Sequence, residues 1–289
     1  MSEVLSRELI ARLERLIGAK VESYRQVAGG YTPALRLICK STAASFFVKI
    51  GATPLTSQFL RREIQIYNTI SGEFMPKLLA SEDHEREPIL VIEDLSAHHW
   101  PPPWTERQIE LTVAQIEALH NTPASLETYE QAHGTRDPNW QLVATDPEPF
   151  LALGLAGAKW LEAALPSLIK FEAECPTAGD SLAHLDLRSD NTCLTSERAI
   201  FVDWNFACLA NPRLDLGFWL PSLTYEGGPE PEKILPDAPE VAAWVSGFFA
   251  GRAGLPGISD APGVRLVQRQ QLQTALPWAV RALGLRPPE

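Results

Sequence analysis

The sequence predicts an α+β fold in two parts, a small antiparallel sheet followed by a larger, mainly helical part. Between residues 21 and 93, short apolar runs with the period of strands are separated by Gly and polar turns. After Asp94 the period lengthens to that of helices, and the remaining strand-like runs are short. Between the two textures stands His98-His99-Trp100-Pro101-Pro102-Pro103-Trp104, an aromatic linker stiffened by proline. Residues 1–94 and 95–289 are the two predicted lobes.

Leu5, Leu9, Leu13, Leu16 and Ile17 recur at helical spacing and predict an amphipathic helix over residues 3–17 that stops near Gly18. Val21–Val27, Ala34–Cys39 and Ser45–Ile50 read as strands, with Gly29-Gly30 in the first turn. Pro54 suits a helix start because its fixed φ and missing N–H do no harm in a first turn. Phe59, Glu63, Ile66, Tyr67 and Ile70 carry that helix to Ser71-Gly72, and strands near Lys77–Ala80 and Ile89–Glu93 complete the sheet. Beyond the linker, helices are predicted over Thr105–Asn121, Pro149–Cys175, Leu214–Leu223, Pro239–Ala250 and Val264–Leu283. Short strands fall at Ser181–Ala183, Thr192–Leu194 and Ile200–Val202. Tyr225–Asp237, with three Pro and four acidic residues, reads as an exposed excursion.

Composition narrows the function. A hydrophobic content of 45% with eight Trp residues fits a well-filled core rather than disorder. The formal charge of −11 repels nucleic acid and anionic membranes, so neither is an expected partner. Four scattered cysteines form no C-x-x-C pair, no signal peptide is evident, and no apolar run is long enough to span a bilayer. The expectation is a soluble cytoplasmic protein; oligomeric state leaves no trace in the sequence. A Walker-type ATPase is excluded, because G-x-x-x-x-G-K-[ST] is absent.

The chemistry concentrates in His184-Leu185-Asp186-Leu187-Arg188-Ser189-Asp190-Asn191, which reads H-x-D-x-x-x-x-N. Twelve residues after Asn191 the apolar run Ile200-Phe201-Val202 ends in Asp203. Phosphoryl transfer needs a carboxylate facing the attacking hydroxyl, and an amide plus a second carboxylate to hold Mg2+ on the nucleotide. Asp186 suits the first role. Asn191 and Asp203 suit the second, since Mg2+ takes hard oxygen ligands and few of them from protein. His184 joins the candidate catalytic set chiefly as a residue that shapes the loop by hydrogen bonding, with direct proton transfer as the lesser role.

His-Leu-Asp-Leu, Val-Asp-Trp-Asn and the later Asn211-Pro212-Arg213-Leu214-Asp215-Leu216-Gly217 resemble H-G-D-L-x-x-x-N, I-D-W-E and G-D-P-x-x-D-L of the aminoglycoside phosphotransferase (choline kinase-like) family of small-molecule kinases. Leu185 stands where that family usually has Gly, and Asn205 where it has an acidic residue. The resemblance implies a protein kinase-like two-lobed fold, ATP or GTP as donor, and Mg2+. It implies that Lys49, at the end of Phe46-Phe47-Val48, anchors the nucleotide phosphates and that Glu63, on the following helix, pairs with it. Gly29 and Gly30 then occupy the phosphate-covering turn, and Glu93 and Leu95 the hinge that meets the base through its backbone. Arg188 stands where protein kinases place a lysine that touches the transferred phosphate, and Asp215 is similar to a structural Asp that braces the loops. The implied acceptor is a small hydroxylated molecule, an aminoglycoside-like antibiotic first, with choline, homoserine or a sugar as alternatives. The acidic positions Glu226, Glu230, Glu232, Asp237 and Glu240 offer either a contact for a cationic substrate or a solvated surface. A protein kinase is disfavoured by the lack of an A-P-E segment, and a non-catalytic pseudokinase by the presence of every catalytic position.

Overall fold

The Ser6 hydroxyl accepts a hydrogen bond from the Leu9 N–H and so starts α1 (Arg7–Ile17), which ends at Gly18 in the left-handed region, φ 68°. The computed structural model describes residues 5–84, 87–134 and 138–288, so positions 3 and 4 of the predicted first helix lie outside the described residues. The sheet comprises β1 (Ser23–Gln26), β2 (Leu35–Lys40) and β3 (Ser45–Ile50), then, after α2 (Pro54–Thr69), β4 (Leu78–Glu82) and β5 (Ile89–Glu93). All pairs are antiparallel, in the spatial order β1-β2-β3-β5-β4.

Side chains alternate across a strand. Leu37, Phe46 and Val48 therefore share one face and pack under Leu9 and Leu13 of α1. Arg36, Phe47 and Lys49 take the opposite face, and the register sets Arg36 directly beside Lys49. A capping box in which Thr53 and Thr56 bond reciprocally fixes the start of α2. That helix then carries Glu63 to the Lys49 face.

The helical part begins with α3 (Glu106–His120), α4 (Tyr129–His133), α5 (Asn139–Thr145), α6 (Glu148–Leu151) and α7 (Ala158–Glu174). Four short strands follow: β6 (Ser181–Ala183), β7 (Thr192–Leu194), β8 (Ala199–Phe201) and β9 (Cys208–Ala210), paired β6 with β9 and β7 with β8. The chain closes with α8 (Arg213–Tyr225), α9 (Pro239–Ala253) and α10 (Val264–Ala282). One hydrophobic core runs from Leu60, Tyr67 and Phe74 beside the sheet to Trp204, Trp219 and Trp278 among the helices. Among the described residues no helix is long and apolar enough to cross a membrane.

Four differences from the sequence expectation have physical causes. The helix expected over Pro149–Cys175 is two, because Gly154 turns left-handed at φ 69° and Gly157 begins α7 anew. α4 and α5, five and seven residues long, are too short to show a helical period. The three-residue β9 is likewise invisible to alternation. The excursion at Tyr225–Asp237 is packed down rather than free: Pro231 and Leu235 are buried, and Arg281 of α10 reaches Glu230 at 2.5 Å and Glu232 at 2.8 Å.

Glu172 on α7 holds α5 in place. It is 3% exposed and accepts hydrogen bonds from Asn139 N (2.7 Å), Asn139 Nδ2 (2.8 Å) and Trp140 N (2.7 Å). Removing a partner from buried donors leaves their full desolvation penalty uncompensated. Glu172→Ala is therefore expected to lower stability by about 3 kcal/mol, read as a lower urea midpoint at unchanged slope. A loss below about 1 kcal/mol would mean that water replaces the carboxylate.

Candidate active site

The loop that carries Asp186 is organised from below. Asp215, in the first turn of α8, is fully buried. It accepts hydrogen bonds from His184 N (3.0 and 3.1 Å) and Leu185 N (2.6 Å), and His120 Nε2 donates to it at 2.9 Å. With two successive N–H groups drawn onto one carboxylate, Leu185 is held at φ 61°, in the left-handed region that favours glycine. The turn aims Asp186 away from the core.

His184 completes the turn. Its Nε2 donates to Val202 O at 3.0 Å and its Nδ1 accepts from Asp186 N at 3.3 Å. The ring is fully buried, edge-on to Trp204 with centroids 4.5 Å apart. Burial pulls its pKa down and outweighs the nearby Asp215 and Asp203 carboxylates, which keeps the imidazole neutral. Both nitrogens being occupied, His184 positions the loop, and the lesser expectation of direct proton transfer is corrected.

Asp186 is held from two sides: Arg188 donates to Oδ1 at 2.5 Å, and Asn191 Nδ2 donates to Oδ2 at 3.1 Å and to the Asp186 carbonyl at 2.8 Å. Burial pushes the Asp186 carboxyl up to about 7, with Arg188 opposing and the Asp203 and Asp190 charges assisting. Arg188 also bonds Asp190 at 2.9 Å and lies over the Tyr31 ring at 5.4 Å, so it is enclosed against the loop.

Across the cleft, Lys49 Nζ lies 2.7 Å from Glu63 Oε2 and 2.7 Å from Asp203 Oδ1. Burial pulls the Lys49 pKa down, but Asp203 and Glu63 outweigh it and hold the ammonium charged. Burial likewise pushes Asp203 up, yet Lys49 keeps its carboxyl below the usual range. Asp203 adopts φ 70° at the start of the turn Trp204–Phe206, which swings its side chain off the strand line toward Lys49. Val202 N donates to Asn191 O at 3.0 Å and ties the Asn191 and Asp203 segments together.

Arg36 is a site residue that the sequence did not disclose. Its guanidinium donates to Thr32 O (3.1 Å) and Ala34 O (2.9 Å), and it lies so close over Gly30 that a Cβ there would stand 2.4 Å away. Like charges directly opposite on neighbouring strands are unfavourable alone. Arg36 and Lys49 are tolerated because both face Glu63 and Asp203, whose charges Arg36 also stabilises. Strand parity with Lys49 was the signal available, but it needed the β2–β3 register.

These groups border one cavity of about 1010 Å3. Gly30, Arg36, Lys49, Asp186, Arg188 and Asp203 line it directly. Glu63 stands behind Lys49, Asn191 and His184 behind Asp186, and Gly29 one residue beyond the lining. Glu93 and Leu95 lie off this cavity: the Glu93 side chain accepts from Lys77 N at 3.3 Å, and buried Leu95 packs with Cys193 and Ile200. The acidic positions 226–240 also point elsewhere. Glu226 bonds Trp104 and Ser189, and Glu240 bonds Arg213.

Over residues 23–252 the sequence matches the phosphotransferase enzyme family, APH. The chain belongs to that family. As a family member it is a phosphoryl-transferring enzyme, in keeping with a cleft lined by both basic side chains and carboxylates. Its fold is that of solved aminoglycoside phosphotransferases. APH(4)-Ia is similar at 12% identity and TM-score 0.60 over 94% of this chain and 97% of that one. A thermostable variant of the same enzyme in ternary complex with ADP and hygromycin B is similar at 12% identity and TM-score 0.58, covering 95% and 98%. APH(9)-Ia in complex with ADP and spectinomycin is similar at 13% identity and TM-score 0.58, covering 98% and 100%. No curated protein matches the sequence.

Leu185 permits a test of how the phosphotransferase loop is held. Leu185→Gly relieves about 1 kcal/mol of left-handed strain. It also removes a side chain that is 7% exposed, which is worth about 2 kcal/mol of burial, and it frees the unfolded backbone. Burial wins, so stability is expected to fall by about 1–2 kcal/mol in urea unfolding; a more stable variant would show that strain dominates.

Proposed function

We propose that the chain transfers the γ-phosphoryl group of ATP or GTP to a hydroxyl of a small molecule. The observation that carries this reading is the convergence of Asp186 with the Lys49–Glu63–Asp203 ion cluster, Arg36 and Arg188 on one cavity. The lobe boundary proposed at residues 94 and 95 puts Lys49, Glu63 and Arg36 on the nucleotide lobe and Asp186 on the other. The solved relatives that hold ADP in the same fold support a nucleotide donor.

In the proposed step a bond forms between the acceptor oxygen and the γ-phosphorus while the bond from that phosphorus to the β–γ bridging oxygen breaks. The acceptor proton passes to Asp186, and the nucleoside diphosphate leaves. Arg188 and Asn191 fix the two carboxylate oxygens of Asp186, so the base meets the hydroxyl in a set orientation. Lys49 and Arg36 offset the charge of the nucleotide phosphates, and Arg188, at the Asp186 end, offsets charge on the group in transit.

The donor set fits Mg2+. Asn191 donates through Nδ2 to Asp186, which leaves its amide oxygen as the atom that would ligate the ion, and Asp203 supplies a carboxylate on the adjoining segment. Two protein ligands suffice for an ion that takes its remaining ligands from phosphate and water. When bound, Mg2+ supplies charge neutralisation to the phosphates. A regulatory, non-catalytic reading has no observation in its favour, because no position of the set is missing.

Asp186→Ala is expected to lower kcat by about a hundredfold or more, followed as phosphate transfer from ATP; transfer within about tenfold of wild type would remove the role given to Asp186. Because the carboxylate form is the base and its pKa sits at about 7, kcat/KM should fall as pH drops below that value. Arg188 favours the charged form, so Arg188→Gln should move this acid limb to higher pH; an unmoved limb would mean that another group titrates. Arg36→Ala should raise KM for the nucleotide by about tenfold with a smaller change in kcat. An unchanged KM would place Arg36 outside the phosphate site.

A further inference from the structure

Beyond Asp186 the cavity wall is aromatic. Ring contacts run from Phe59 to Phe206 (5.8 Å), to His133 (6.2 Å), to Tyr129 (5.0 Å), to Trp244 (6.4 Å) and to Phe248 (5.9 Å). All six line the cavity. The wall therefore reaches from α2 beside the sheet to α9 in the helical part, with Asp186 on the same cavity.

Among the described residues, few carboxylates stand on this lining. Besides Asp186 and Asp203, the described carboxylates on the lining are Glu130, which is exposed at the rim, and Glu172. Both oxygens of Glu172 are taken by Asn139 and Trp140. Asp186 is paired with Arg188 and Asp203 with Lys49. Asn205 lines the cavity where the resembling family carries an acid. The charge that does stand among the rings is positive: Arg252 lies 4.0 Å from the Phe248 ring and donates to Asn139 Oδ1 and Phe248 O.

We propose that the phosphate acceptor is an uncharged, hydroxyl-bearing molecule whose body is an apolar ring system. This rests on the kinase reading above and departs from the aminoglycoside expectation. A polycation entering the chamber would shed water from several ammonium groups, and the described carboxylates on the lining already have partners. A quaternary ammonium such as choline is attracted by ring faces, but Arg252 already covers Phe248 with like charge. An apolar ring system loses nothing on entering and gains burial against Trp244, Phe248 and Tyr129. A cavity of about 1010 Å3 has room for such a body in addition to the phosphates.

Calorimetric titration of the full chain with Mg2+ and AMP-PNP, using estradiol, naringenin, kanamycin and choline as probes, tests the proposal. Estradiol or naringenin is expected to bind saturably, with affinity unmoved by added NaCl, and to accept phosphate when ATP replaces the analogue. Trp244→Ala should weaken that binding by about tenfold or more, and Trp244→Phe should restore most of it. If Trp244→Ala does not fold, Phe248→Ala at the half-buried neighbour takes its place. Binding or phosphorylation of kanamycin or choline without that of the ring alcohols overturns the proposal. So does failure of both ring alcohols to bind, or binding indifferent to these substitutions in folded protein. The kinase reading is read separately, from thermal stabilisation of the wild-type chain by Mg2+ and AMP-PNP. Its absence sinks that reading, whereas its presence with no apolar binding sinks only the acceptor class.

Discussion

The site depends on one buried carboxylate. Asp215 has no solvent exposure, and its oxygens are matched by the His184 N–H, the Leu185 N–H and the His120 ring. An unpaired charge at that depth would be prohibitive, so the pairing is obligatory. Obligation is what gives it structural force: the loop must bring two consecutive N–H groups to one point, which bends Leu185 left-handed and sets the direction of Asp186. His184, pinned between Val202 O and Asp186 N, then relates that loop to the strand that ends in Asp203. Asp186, the proposed base, and Asp203, the proposed metal carboxylate, are in this way referred to a common anchor beneath them.

The remaining charge follows the same logic of local matching. An acidic surplus of −11 would suggest a surface attractive to cations. Within the 226–240 stretch, however, the carboxylates have local partners: Glu230 and Glu232 in Arg281, Glu240 in Arg213, and Glu226 in Trp104 and Ser189. What faces the cavity is instead an alternation of zones. Arg36 and Lys49 present positive charge beside the sheet, Asp186 and Arg188 stand at the middle, and rings fill the helical end. A molecule bound across them would carry its anionic part toward the sheet and its apolar part toward α9.

The legible portion of the fold followed from period and punctuation. Sheet strands with short apolar runs, such as Ser45–Ile50 and Ile89–Glu93, sit where those runs put them. Asp186, Asn191 and Asp203 were found by spacing because one loop and one strand end carry all three. Arg36 was missed because its role depends on lying opposite Lys49, a register that no single strand records. The aromatic wall was missed for a related reason. Tyr129 and His133 stand on a five-residue helix without a readable period, while Trp244 and Phe248 look like ordinary core in an apolar helix. The acidic stretch 226–240 stayed open between a substrate contact and a solvated surface because composition shows charge but not its partner.

Lys49 belongs to β3 and Asp203 to the helical half, so their 2.7 Å bond also clasps the two halves together. A phosphate that takes a share of Lys49 loosens this clasp. By thermodynamic reciprocity, a swing that parts the halves alters phosphate affinity by the same factor. On the proposed kinase reading, Lys49 would thus link nucleotide binding to the contact between the halves.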